Sequence, residues 1–122
     1  MPQFLPFRGL RYTPAAGPLS ALLAPPYDVI TPAQQAALAA RNPHNAVHLE
    51  LAGGGEERYG RVASLITGWH EAAMVRRDER PMLYVYEQEF VEEGHVFLRR
   101  ALIAAVEAQP WETGAIKPHE FT

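Results

Sequence analysis

The sequence predicts an α+β fold: an antiparallel or mixed sheet with a β-hairpin, and two main helices packed on one face. Three observations carry this. Residues 31–41, "TPAQQAALAAR", have a helix start and a helix stop. Between Glu56 and Val75, apolar residues recur every three or four positions. From Pro81 onward, two β-rich runs flank the turn-like "VEEGH".

Along the chain, "FRGLRY" (7–12) alternates loosely and predicts a short strand, at an edge because Pro6 and Pro14 flank it. Gly17–Pro18 is a turn, and Leu19–Ala24 predicts one helical turn. Pro25 ends that turn, because the residue before a proline is pushed out of the α region. Thr31 suits an N-cap, Pro32 the first helical position, and Gln34 the capping-box partner. This helix should stop at Asn42–Pro43. "AVHLEL" (46–51) alternates with period two and predicts a strand. Gly53–Gly55 reads as a flexible turn. The helix over Glu56–Val75 should bury a stripe of Tyr59, Val62, Ile66, Trp69 and Ala73. In the hairpin, Leu83, Val85, Glu87 and Glu89 share one face, while Met82, Tyr84, Tyr86, Gln88 and Phe90 share the other. Residues 101–108 suit strand or helix.

The bulk numbers exclude several functions. A chain of 122 residues fits one domain and can bury a core without staples. There is no cysteine, so disulfides, thiol catalysis and zinc-thiolate sites are out, and a cytoplasmic setting is suited. A net charge of −3 disfavours nucleic acid and anionic lipid as partners. No apolar run is long enough for a membrane span, and the N-terminus lacks the charge-then-apolar order of a signal peptide. Seven of the eleven prolines fall within the first 32 residues, among many large apolar side chains. That third should be irregular but packed.

Candidate sites are few. His44 and His48 are four apart, but in a strand they would lie about 13 Å from each other, too far to chelate a metal. No metal site is predicted. Glu87 and Glu89 could divide acid and base roles, though a solvated strand end is the plainer reading. "GGGEER" (53–58) opens a helix, but its glutamates repel phosphate, which favours a linker. No P-loop, GxGxxG or GxSxG occurs. Arg8 could hold a phosphate or carboxylate, or simply pair with an acidic residue. In "APPYDVITP", two prolines stiffen the chain before Tyr27 and Asp28. Rigid presentation serves a site, but also a turn before a capped helix, and the residues alone favour the turn.

Five segments, "LPFRGLRY", "LAPPYDVITPAQQAAL", "NPHNAVHLEL", "RYGRVASLITGWHEAAMVRRDERPMLYVYEQEF" and "IKPHEFT", together resemble the start of a bacterial and archaeal family, domain of unknown function one thousand and fifteen. Members of that family continue to an Asp-Gly-His-His-Arg segment and are similar to ParB/sulfiredoxin-like free serine kinases. The resemblance implies an N-terminal fragment: residues 1–110 as an α+β accessory domain, and 111–122 as the start of a truncated ParB-like domain. It implies Glu120 as general base, with Lys117 and His119 in the same motif; together with Asp28, Tyr27 and Arg8 these are the candidates for binding substrate or nucleotide. It also implies a small-molecule substrate and ATP or ADP with Mg in the full-length protein, the fragment alone being inactive. A non-enzymatic ParB-like nucleotide-binding regulator, and a dimerisation or scaffolding domain forming a homodimer, are the other readings.

Overall fold

A computed structural model describes residues 2–117. They form two compact units, one from residues 2–9 with 78–117, the other the continuous Leu10–Arg77. The class is α+β. Among the described residues the strands form three two-stranded antiparallel ladders rather than one sheet.

In the continuous unit, β2 (Leu10–Tyr12) pairs with β3 (Val75–Arg77), Tyr12 opposite Val75. Between them come α1 (Leu19–Leu22), α2 (Pro32–Arg41), α3 (Val47–Glu50) and α4 (Glu57–Glu71). Pro25 comes soon after α1, as the restriction before proline predicts. The capping box forms as expected: the Gln34 amide donates to Thr31 Oγ1 at 3.3 Å, and the Thr31 amide to Gln34 Oε1 at 2.9 Å. The core of this unit is Ala16, Leu22, Leu38, Val47, Trp69 and Val75.

The strand predicted over "AVHLEL" is instead the single helical turn α3. The cause is Asn45, which is fully buried. Its Oδ1 accepts from the Val47 amide at 2.9 Å, and its Nδ2 donates to the carbonyls of Ala21 (2.8 Å) and Leu23 (3.2 Å). The Ala46 amide donates to Leu22 O at 2.7 Å. Side chain and backbone thus tie this segment to α1 and seed a turn of helix, which a short alternation with no partner strand cannot outweigh. The predicted 13 Å between His44 and His48 lapses with the strand. Each ring has its own neighbour: His44 sits edge-on to Trp69 at 5.3 Å, and His48 Nε2 lies 3.2 Å from Asn42 O.

Helix α4 is shorter than predicted. Ala73 adopts a left-handed φ of 57°. The Ala73 amide donates to His70 O at 3.1 Å and the Met74 amide to Trp69 O at 2.8 Å, the pair of bonds that closes a helix in a Schellman motif. Val75 is therefore free to enter β3. The buried stripe holds for Trp69, with Val62 and Ile66 half-buried, but Tyr59 is 60% exposed.

In the other unit, β1 (Phe4–Leu5) pairs with β6 (Ala105–Val106), and Phe7 bridges to Met82. The hairpin forms as β4 (Tyr84–Glu92) and β5 (His95–Ile103), joined by the two residues Glu93 and Gly94. Both have positive φ, 49° and 77°, the geometry of a type I′ turn that matches the twist of the strands. Residues 101–103 settle as strand, and the chain then steps over to β6.

Candidate ligand-binding cleft

A concavity lies in the continuous unit. It is a cleft of about 570 Å³ between the segment after Pro26, helix α2, the end of α3 and the start of α4. That size falls within the usual range for small-molecule sites. Pro26 is extended at φ −52°, ψ 139°, and Tyr27–Val29 then make a 3-10 turn, with the Val29 amide donating to Pro26 O at 3.1 Å. The Thr31 cap fixes the entry into α2. Between these two constraints Tyr27 is 63% exposed and forms one wall.

Gln35 of α2 lines the cleft and donates through Nε2 to Leu51 O at 2.9 Å, holding residues 49–53 as the opposite wall. Arg61 donates through Nη2 to Gly53 O and lies 3.9 Å from Glu57, which ties the glycine loop to α4. Arg58 and Tyr59 complete the rim. The Arg58 guanidinium sits 5.0 Å from the Tyr59 ring centre and donates to the Tyr59 hydroxyl at 3.0 Å. Tyr27, Tyr59, Arg58 and Glu50 therefore line the opening together with the apolar Leu49 and Val62. Such a set can stack a planar group, pair with an anion and bond a hydroxyl.

The residues singled out in the sequence separate. Tyr27 lines this cleft; its neighbour Asp28 is exposed and is not among the lining residues. Arg8 belongs to the other unit, where its Nε donates to Asp78 O at 2.6 Å. Lys117 is exposed in that same unit. His119 and Glu120 lie outside the described residues. Glu87 pairs with its cross-strand partner Arg100 at 2.7 Å, while Glu89 faces Leu98, so these two carboxylates do not act on a common point. Gln35, Arg58 and Tyr59 went unpredicted. The one available signal is an Arg–Tyr pair two residues after a glycine run, and the helical stripe assigns Tyr59 to the core.

Comparison with known proteins supplies the family. The chain belongs to the family described as Protein of unknown function (DUF1015), whose model matches residues 4–122. No curated protein and no solved structure matches it.

Proposed function

We propose that the protein is an ATP- or ADP-dependent small-molecule kinase of the free-serine type, and that the Tyr27 cleft is one of its ligand-binding surfaces. The observation that carries the cleft is convergence. Tyr27, from the "APPYDVI" segment on which the family resemblance leans, meets Arg58 and Tyr59 around one opening. A nucleotide offers what this opening can hold: a planar base for the tyrosines and phosphate for the guanidinium. The phosphoryl-transfer half of the reading rests on "KPHE" (117–120) and its similarity to the free serine kinases. In that chemistry a hydroxyl of the substrate attacks the terminal phosphorus, the bond to the leaving phosphate oxygen breaks, and Glu120 takes the hydroxyl proton. Among the described residues no group of histidine or acidic side chains is placed to hold a metal ion.

The test is a coupled assay of nucleotide consumption with free serine, run on the complete protein and its Glu120→Ala and Arg58→Ala variants. Turnover that Glu120→Ala abolishes without unfolding, and for which Arg58→Ala raises the nucleotide KM, supports the proposal. Wild-type turnover in Glu120→Ala removes the base. Nucleotide binding without turnover, for serine or any other hydroxyl substrate, replaces the kinase with a nucleotide-sensing regulator.

A further inference from the structure

Two residues that line the Tyr27 cleft, Gln35 and Glu50, carry hydrogen-bond acceptors with no partner among the described residues. Gln35 is half-buried, and its Nε2 donates to Leu51 O at 2.9 Å. A carbonyl oxygen can only accept, so this bond fixes which way round the amide lies. The atom that remains is Oε1, an acceptor, and no described residue donates to it. Leu51 directly follows Glu50 at the end of α3, so the same bond holds Gln35 close to that end. The Glu50 carboxylate forms no ion pair or hydrogen bond among the described residues, although Arg58 lines the same cleft. The Arg58 guanidinium donates instead to the Tyr59 hydroxyl. Gln35 and Glu50 thus offer a ligand acceptors, while Arg58 offers it charged donors.

We propose, resting on the nucleotide reading of this cleft, that Gln35 selects a base with an exocyclic amino group, so that the site takes an adenine rather than a hypoxanthine nucleotide. Charge sets the direction in which the nucleotide lies. Its phosphates are drawn to Arg58 and repelled by Glu50, whose neighbour Leu51 carries the Gln35 bond. The uncharged end, base and ribose, therefore lies toward Gln35 and Glu50, where it has to supply donors. Ribose does so through its hydroxyls, for which a carboxylate is the usual acceptor in dinucleotide folds. Adenine does so through its 6-amino group. Hypoxanthine carries a carbonyl at that position, which sets oxygen against Oε1. A free glutamine would turn its amide over and donate to that carbonyl. Gln35 cannot, because turning would set its own oxygen against Leu51 O and leave that bond unmade. The preference is thus fixed by the backbone of residue 51 as much as by the side chain that expresses it.

Titration calorimetry of ADP and IDP, the hypoxanthine analogue, into the complete protein tests this. The wild type should bind ADP about tenfold or more tightly than IDP, the penalty for an acceptor left facing another acceptor. Gln35→Met, similar in length and without that acceptor, should bring the two affinities together. Arg58→Ala should weaken ADP and IDP by the same factor, because a phosphate contact does not sense the base. Circular dichroism checks that each variant folds. Equal affinities in the wild type overturn the proposal; if Arg58→Ala still weakens both nucleotides, the nucleotide reading of the cleft stands without it. A Gln35→Met variant that loses affinity for both nucleotides equally, and keeps the preference for ADP, reduces Gln35 to a support for Leu51 and also overturns it. Binding of neither nucleotide overturns this proposal together with the reading it rests on. The wild-type comparison involves no substitution, so it retains that power even if Gln35→Met fails to fold.

Discussion

The Gly9 amide donates to the Tyr84 hydroxyl at 2.7 Å, and a Cβ added at Gly9 would lie 2.7 Å from that same oxygen. The hydroxyl in turn donates to Asp78 Oδ2 at 2.5 Å, while the Asp78 amide donates to Gly9 O at 2.8 Å. Glycine is needed here for close approach of the ring, not for an unusual φ. This knot closes the unit at the two points where Leu10–Arg77 interrupts it in sequence.

Two substitutions probe the knot. Gly9→Ala should destabilise by about 1–3 kcal/mol, since the methyl group forces Tyr84 aside. Tyr84→Phe should cost about 1–2 kcal/mol through the lost hydroxyl bonds. The two act on one contact, so urea denaturation of the double variant should show less than the sum of the singles. Strict additivity would mean that the contact is not what each variant disturbs.

Asn45→Ala should be the more damaging change in the continuous unit. It removes three hydrogen bonds at a fully buried site and strands the carbonyls of Ala21 and Leu23. A loss of about 2–4 kcal/mol is expected, read from the denaturation midpoint at unchanged slope. A shift below about 0.5 kcal/mol, the scale of an ordinary surface substitution, would contradict the role given to Asn45 in forming α3.

How far the sequence led depended on whether a signal was local. The Thr31–Gln34 cap, the stop at Asn42–Pro43 and the hairpin were legible because turn and cap chemistry acts over a few residues. The α3 segment was not, because Asn45 reaches α1, more than twenty residues earlier in the chain. The cleft was half legible. Tyr27 stood out through its two prolines, while Arg58 and Tyr59 acquire meaning only once α2 and α4 bring their ends to the same opening.

Ala73→Gly should stabilise the protein. Ala73 holds a left-handed φ of 57° at the close of α4, a conformation that costs an alanine about 1 kcal/mol or more and glycine little. The gain is partly offset by the greater freedom of glycine in the unfolded chain, leaving about 0.5–1 kcal/mol. Thermal unfolding checks it, and a lower Tm would show that the alanine methyl makes a packing contribution larger than the strain.

Tyr12 predicts an alkaline transition. Burial raises its hydroxyl above the ordinary tyrosine value of 10.0, because the phenolate is poorly solvated there. The hydroxyl also donates to His44 O at 2.7 Å, a bond that ionisation removes. The folded protein holds this proton more tightly than the unfolded chain does. Its contribution is therefore fully present below about pH 10 and is lost as pH rises through the folded value. Urea midpoints between neutral pH and the alkaline range should fall for the wild type and fall less steeply for Tyr12→Phe. Equal slopes would remove Tyr12 as the cause.

The central claim is that the opening between Tyr27, Arg58 and Tyr59 binds a nucleotide, and titration calorimetry tests it most directly. ATP and ADP are titrated into the complete protein and into Arg58→Ala and Tyr27→Ala. Both side chains lie at the surface of the cleft, so their loss should leave Tm nearly unchanged. Saturable binding of at least one nucleotide is predicted. Arg58→Ala should weaken it by about tenfold or more, the worth of one charge-assisted bond to phosphate, and Tyr27→Ala should weaken it through lost stacking. Binding that neither substitution changes would place the nucleotide elsewhere, and no binding of either nucleotide would contradict the claim outright.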